Sequence, residues 1–569
     1  MMLPALRTFL LISFGLLICC QSPKPAAQGT QPNIIVILGD DMGYSDLGCF
    51  GGEIRTPHLD HLAANGLRFT QFYNTGRCCP TRASLLTGLY PQQAGIGHMV
   101  NDRGTAAYRG DLSFQAVTIA EVLKTAGYQT YLSGKWHVTP FVGGNPPQHN
   151  WPLQRGFDRF FGMMGGAGSF YDPRGLAKGN RYIAPEQNFY ATTAYTQHAI
   201  SFIEQNEAEK PFFLYLAHQA GHWPLHAPQE AIDQYKGHYD KGWDSIRTER
   251  FDRMKSLGLI EPEWEMTPRD SLVAPWDPNL PDKAWQCASM ETYAAMISLM
   301  DEGIGQIIQV LKERDQLDNT LIFFLQDNGA CAEELGGRVK SRSQHPPSSE
   351  PMQAGAFQTE TVPPVTRDGQ VVRLMKEAWP GPPEGYTAYG RNWANASNTP
   401  FREYKHWVHE GGIATPLIVH WPEKIQSSGE MRKTPTHLID IMATCIEAAG
   451  ATYPIRFADQ EIIPLEGKSL LPAFTNNEIK REAIFWEHEG NRAVRMGKWK
   501  LISKANKHKA FQWDQVAELA EEDWELFDME TDRTEMNDLA AAYPARVLQM
   551  AKMWMNWAEK VGAVPRPKP

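Results

Sequence analysis

Asn33-Ile34-Ile35-Val36-Ile37-Leu38-Gly39, running straight into Asp40-Asp41, is the stretch that decides the fold. Its aliphatic residues are consecutive and mostly β-branched, with no polar residue interleaved. An amphipathic strand would alternate. An uninterrupted run of this length suits a strand covered on both faces, as in a largely parallel sheet. The two aspartates then stand at the strand's carboxyl end, where open α/β sheets bind ligands.

The same phrase recurs along the chain. Gln129 to Leu132 reads as a strand and ends at Ser133-Gly134-Lys135-Trp136-His137. Phe212 to Ala217 reads as another and is followed by the polar stretch His218 to Pro228. Thr320 to Leu325 leads into Gln326-Asp327-Asn328-Gly329, and Thr415 to His420 is a further strand. Thr118 to Ala126, Thr292 to Arg314 and Leu438 to Ala449 carry helical periodicity. Asp and Asn also end strands for plain turn chemistry, but a polar cluster after strand upon strand is a phase that chance does not give. The predicted class is α/β: a large mixed, mostly parallel sheet flanked by helices.

At 569 residues the chain exceeds what one core organises, so two domains are expected. A main domain is assigned to residues 31–452. It includes a Pro-, Gly- and Ser-rich stretch, 330–404, expected to wall the pocket with Trp379, Tyr386, Tyr389 and Trp393. Residues 453–569 are expected to form a smaller α+β domain with an antiparallel sheet. Its strands are Ala483 to Phe485, Ala493 to Met496, Trp499 to Ile502 and the run Glu-Leu-Phe-Asp-Met ending at Met529, and its helix is Ala541 to Val561. Residues 1–20 read as a secretory leader, with Arg7 ahead of the apolar run Phe9 to Cys19, and 21–30 as a linker. Leu17-Ile18-Cys19-Cys20 resembles a bacterial lipoprotein processing site with Cys20 lipidated; simple secretion to the periplasm is the alternative. Six cysteines outside the leader, irregularly spaced, make neither a disulfide scaffold nor a zinc ribbon. A net charge of −10 and a pI near 6.0 do not suit a surface that coats nucleic acid.

Asp40, Asp41, Asp327 and Asn328 are hard oxygen ligands, and they suit Ca²⁺ better than Mg²⁺ because Ca²⁺ tolerates a crowded, irregular shell. Gly43 and Gly329 are expected to let the chain turn tightly beside them. Lys135 and His137 are two apart and would face one side of an extended stretch. With Arg82, Lys405, His222 and a divalent cation they would neutralise an oxyanion and its transition state. Histidines near neutral pH can move protons. A thiolate is a poor partner for a hard ion, so Cys78 is not expected to act as plain cysteine.

Cys78-Cys79-Pro80-Thr81-Arg82-Ala83-Ser84-Leu85-Leu86-Thr87-Gly88 resembles the signature of the formylglycine-dependent sulfatase family, which opens on Cys-x-Pro-x-Arg. Supporting motifs stand in family order: Asp40-Asp41-x-Gly, Gly134-Lys-Trp-His137, Gly221-His-x-Pro, Asp327-Asn328-Gly, and Lys405 before Glu410-Gly-Gly. The resemblance covers roughly residues 30 to 560 and implies an alkaline-phosphatase-like α/β domain plus a small carboxyl-terminal domain. It implies that Cys78, not Cys79, is oxidised to formylglycine by a maturation enzyme, and that Asp40, Asp41, Asp327 and Asn328 hold one Ca²⁺. It further implies that Arg82, Lys135 and His137 fix the aldehyde hydrate, that Lys135 and Lys405 hold sulfate oxygens, and that His222 protonates the departing alcohol.

The implied reaction is hydrolysis of a sulfate monoester. One hydroxyl of the hydrate attacks sulfur and leaves a covalent sulfate ester, and loss of the second hydroxyl's proton, assisted by His137, expels sulfate. An exported enzyme of this kind suggests a sulfated carbohydrate or aryl sulfate as substrate. The preferred reading is exo-action on a terminal O-sulfated galactose or N-acetylhexosamine. Glu487-His488-Glu489 and Asn491-Arg492 are candidate sugar contacts, with ordinary exposed turn residues as the alternative. A formylglycine-dependent phosphonate monoester or phosphodiester hydrolase, and a non-catalytic sulfoglycan-binding relative, are the rival functions.

Overall fold

The structure is a computed structural model that describes residues 31–207, 209–335, 350–353, 355–504 and 524–564. The expected leader with Cys20, the linker, and part of the 330–404 stretch lie outside the described residues.

The main sheet contains eleven strands. In chain order they are β1 (Asn33–Gly39), β2 (Leu67–Tyr73), β3 (Gln129–Gly134), β4 (Arg159–Met163), β5 (Leu176–Lys178), β6 (Arg181–Tyr182), β7 (Phe212–Ala217), β8 (Thr320–Gln326), β9 (Ala414–His420), β10 (Glu430–Arg432) and β11 (Thr436–His437). Their order across the sheet is β10-β2-β9-β8-β1-β7-β3-β4-β5-β6, with β11 also beside β2. β8, β1, β7, β3 and β4 are parallel, while β9 runs antiparallel to both β8 and β2. The sheet is therefore mixed and mostly parallel, as expected.

β1 lies at its centre with every residue buried. Ile35 and Ile37 point into one core, while Ile34, Val36 and Leu38 point into the other. Removing five such side chains from water contributes on the order of 10 kcal/mol. The first core is closed by the helices Pro57–Ala64, Ala191–Glu204 and Lys283–Glu313, and the second by Cys78–Thr87, Ile119–Thr125 and Ile439–Ala448. Lys283–Glu313 begins nine residues before the Thr292 read from sequence. Ile119–Thr125 starts at a capping box: Glu121 N–H donates to Thr118 Oγ1 at 3.0 Å, and Thr118 N–H donates to the Glu121 carboxylate at 2.7 Å.

A four-stranded antiparallel sheet follows: β12 (Ile484–His488), β13 (Asn491–Met496), β14 (Trp499–Ser503) and β15 (Trp524–Asp528), with the helix Pro544–Val561 against it. A buried ionic network ties it to the main sheet. Glu410, just before β9, accepts from Lys500 Nζ at 2.8 Å, Arg533 Nε at 2.9 Å and Tyr73 Oη at 3.2 Å. Lys500 also donates to Glu535 at 2.7 Å, and the four charged side chains are at most 1% exposed. Burial would raise the Glu410 pKa, but Lys500 and then Arg533 outweigh it and hold the carboxyl below its ordinary range.

The stretch 330–404 is not all pocket wall. It contains the helix Gly390–Ser397, and Trp393 is fully buried with its Nε1–H donating to Gln286 O at 2.8 Å. Tyr389 stacks on Tyr293 at 4.5 Å between centroids. Both rings fill core space beneath the helix, so their expected wall role is corrected. Trp379 is 55% exposed, and Tyr386 borders a cavity of about 830 Å³ together with Ser169, Tyr171, Asp172 and Arg367.

Replacing Glu410 by Ala leaves buried Arg533 without its carboxylate and Lys500 with Glu535 alone. Glu410→Ala is expected to cost roughly 3–5 kcal/mol in denaturant unfolding; a loss below about 1 kcal/mol would refute the network's role.

Candidate active site

Parallel pairing brings the ends of four strands to one edge. Leu38 is level with Ala217 and with Leu325, and Gly134 is level with Ala217. Asp40 and Asp41 leave β1, Lys135 and His137 leave β3, His222 follows β7, and Asp327 and Asn328 leave β8. Cys78 opens its helix and Arg82 stands one turn further on. Asp41 and His137 sit in the left-handed backbone region, with φ of 59° and 55°, a conformation that costs a non-glycine residue and that aims the chain at such sites. The expected role of Gly43 and Gly329 is corrected. Neither adopts positive φ; a Cβ on Gly43 would lie 2.2 Å from Ser397 O, and one on Gly329 would lie 1.8 Å from Gly411 O. They allow backbones to approach, while Asp41 makes the turn.

The side chains meet. Lys135 Nζ donates to Asp40 Oδ2 at 2.5 Å, and Arg82 Nη2 lies 3.0 Å from Asp327 Oδ2 and 3.4 Å from Asp40 Oδ2. Lys405 Nζ donates to both Asp41 oxygens, at 2.7 and 2.9 Å, and Asn328 Nδ2 donates to Asp41 Oδ1 at 2.7 Å. Asp41 N–H donates to Asp327 Oδ1 at 3.2 Å. His222 Nε2 is 3.4 Å from Asp41 Oδ2, and its Nδ1 is 2.6 Å from Trp223 O, so that nitrogen carries a proton toward the carbonyl. His137 Nε2 is 3.1 Å from Cys79 Sγ. All these residues are buried.

Electrostatics divide the acids. Burial would raise Asp41, but Lys405 and then His222 outweigh it and keep the carboxyl below its ordinary range. Burial, with Asp40 next to it, holds Asp327 well above that range despite Arg82 and Lys135. Burial likewise raises Asp40. Cys78 is pulled well below the usual thiol range, first by a hydrogen bond from Cys79 and then by His137 and Lys135. Burial lowers His137 and His222 to about 4, so both imidazoles are neutral near pH 7.

A metal fits here. Asp40 Oδ1 and Asn328 Oδ1 are buried and accept no hydrogen bond. Left so, each costs free energy, and Asp40 and Asp327 repel one another. A hard cation among Asp40, Asp41, Asp327 and Asn328 would answer both defects.

The sugar-contact candidates fare differently. His488 is buried at the end of the β12–β13 hairpin, 5.8 Å from the His98 ring and 6.1 Å from that of His406. Asn491 Nδ2 donates to His488 O at 3.1 Å. Arg492 is placed otherwise: its guanidinium lies over Trp524 at 4.9 Å and Trp554 at 5.4 Å and donates to Ser503 Oγ at 3.1 Å. It packs the small sheet, which corrects its reading as a sugar contact. Unforeseen was the cluster around Arg77, the residue before Cys78. Its guanidinium touches His406 and lies 3.6 Å from Glu333 and 3.9 Å from Glu489. Only adjacency to Cys78 and Lys405 could have flagged Arg77 and His406. Glu333 carries no local signal.

Comparison with known proteins identifies the family. The family model described as sulfatase matches residues 32–451, and that of the N-sulphoglucosamine sulphohydrolase carboxyl-terminal region matches 402–559. An arylsulfatase of Klebsiella aerogenes is 35% identical over 464 residues, covering 78% of this chain and 92% of its own. The N-acetylgalactosamine-6-sulfatase of Homo sapiens is 26% identical, covering 85% of this chain and 72% of its own. The structure of BT4656 in complex with its substrate D-glucosamine-2-N,6-O-disulfate superposes with a TM-score of 0.59 at 20% identity, covering 95% of this chain and 99% of that one. With a family model spanning most of its length over an α/β sheet whose strand ends gather this cluster, the chain belongs to the sulfatase family of the alkaline-phosphatase-like superfamily and is a sulfuric ester hydrolase.

Proposed function

We propose that this enzyme removes O-linked sulfate from a sugar, using Cys78 matured to formylglycine and one Ca²⁺. The observation that carries the reading is the convergence of Asp40, Asp41, Asp327 and Asn328 with Lys135, Arg82 and Lys405 beside Cys78. The family is metal-dependent, and the hard oxygens here favour Ca²⁺. Asp40, Asp41, Asp327 and Asn328 would hold the cation, which would supply positive charge for a sulfate oxygen and lower the cost of ionising a hydroxyl.

The chain's own residues do the rest. Lys135 and Lys405 each have an ammonium at the carboxylates' edge and would hold sulfate oxygens as point charges. Arg82, fixed by Asp327 and by Lys135 O at 3.2 Å, keeps residue 78 in place. Neutral His137, within reach of residue 78, can accept the proton released when sulfate departs. His222, held by Trp223 O, has its Nε2 directed toward the site and would deliver a proton to the leaving alcohol; the bound sulfate's negative charge would favour its protonated form. Formylglycine supplies what a thiol lacks, a carbon bearing two hydroxyls, one to attack and one to release the ester. That modification requires a maturation enzyme.

The sugar reading draws on the relatives whose names refer to N-acetylgalactosamine 6-sulfate and glucosamine disulfate. His488 and Asn491, brought over by the small sheet, would contact a terminal galactose or N-acetylhexosamine. Residues 1–20, read as a leader, would direct export either to the periplasm or, with Cys20 lipidated, to the outer membrane as an anchored lipoprotein.

Cys78→Ala is expected to abolish sulfate release while leaving the fold intact by circular dichroism; active enzyme should show an aldehyde or hydrate mass at residue 78, and a free thiol in fully active protein would overturn the role. A calcium chelator should remove activity and added Ca²⁺ restore it, with full activity after exhaustive chelation as the contrary result. His222→Ala should lower kcat roughly 10²–10⁴-fold on a sugar sulfate. On 4-nitrophenyl sulfate, whose leaving group needs no proton, the loss should be much smaller; equal losses would exclude His222 as the acid.

A further inference from the structure

Two thiols and an imidazole stand together beside the carboxylates, and the reaction proposed above uses only one of the sulfurs. We propose that the chain with unmodified Cys78 carries a second, soft-metal site formed by Cys78, Cys79 and His137, which takes Zn²⁺. The ligand atoms of these three residues all lie within 4.8 Å of one another, and Cys79 Sγ is 3.1 Å from His137 Nε2. Ligands on one tetrahedral zinc are roughly 3.5 Å apart, as Zn–S and Zn–N bonds of about 2.3 and 2.0 Å require. The triangle therefore needs only small side-chain rotations.

Donor chemistry separates this site from its neighbour. Two thiolates and a nitrogen select a soft or borderline ion, whereas the carboxylates and amide of the adjoining set select a hard one. Three protein ligands leave one position open. Binding would release the thiol protons of Cys78 and Cys79 to solvent as the two Zn–S bonds form. The nearby cations are already paired, Lys135 with Asp40 and Arg82 with Asp327 and Asp40, so they oppose a further positive charge less than bare ammonium or guanidinium groups would.

A second cluster, His406, His488 and Glu489, also has metal-ligand spacing. It is a poorer candidate, because the Arg77 guanidinium touches His406 and pairs with Glu489. Among the described residues, Cys49, Cys287, Cys331 and Cys445 belong to no such group.

The site exists only while residue 78 keeps its sulfur. Conversion to formylglycine would remove one ligand, so zinc would tell unconverted chains from converted ones. The inference stands on the two thiols and does not depend on which ester is hydrolysed.

The test uses the full chain made in a host without maturation enzyme, kept in excess Ca²⁺ and titrated with Co²⁺ alone. Thiolate-bound Co²⁺ gives a near-ultraviolet charge-transfer band, which cobalt held by carboxylates does not. The band should saturate at one equivalent, vanish on adding Zn²⁺, and be absent from both Cys79→Ser and Cys78→Ser, with folding checked by circular dichroism. Wild-type chain converted at residue 78 should also lack it, a comparison that stands even where a variant does not fold. No band in the unconverted chain, or an undiminished band in the converted chain or in folded Cys79→Ser, would overturn the proposal.

Discussion

Three carboxylates crowd one edge of a sheet in the buried interior, and the rest of the molecule is arranged to make that tolerable. Asp40 and Asp327 share the Arg82 guanidinium, and Asp41 is held by Lys405, Asn328 and His222. Like charges this close, without water, cannot all remain ionised unless cations are fixed beside them. Lys135, Arg82 and Lys405 supply that charge from three separate places in the chain. The orphaned oxygens of Asp40 and Asn328 show that protein cations alone do not finish the task. The charges that stabilise the fold here are therefore also those that would meet a metal and an oxyanion.

The sheet makes this geometry repeatable. β1, β3, β7 and β8 end within a residue or two of one another because parallel neighbours share their register. A slip of one residue would swing every side chain of β1 from one core to the other, and both cores are too well filled to allow it. The positive φ at Asp41 and His137 is stored strain, and the packed strands behind them hold it.

How far the sequence could be read follows the same physics. β1, β7 and β8 were plain because burial on both faces leaves an unbroken apolar run, a signal that does not depend on neighbours. Residues at their ends inherited that clarity, and the structure brings Asp40, Asp41, Asp327, Asn328, Lys135, Arg82 and Lys405 together. β2 was missed: Leu67-Arg68-Phe69-Thr70-Gln71-Phe72-Tyr73 mixes polar with apolar residues, and its place beside the antiparallel β9 comes from tertiary pairing. Trp393 and Tyr389 were misread because composition marks a loop without saying which aromatics turn inward. Arg492 was misread because a guanidinium between two indoles has no sequence signature. Arg77, Glu333, His406 and Glu489 are remote in sequence, and only packing joins them.

The Glu410 network also joins parts of the chain that are made far apart in time. Its counterions, Lys500 and Arg533, are 90 and 123 residues further along the chain. A nascent polypeptide still emerging in sequence order has made Cys78 long before either cation exists. Glu410 gains both counterions only once residues 500 and 533 have been made. Cys78 is buried in the folded molecule, so another protein could reach its side chain only before the chain closes.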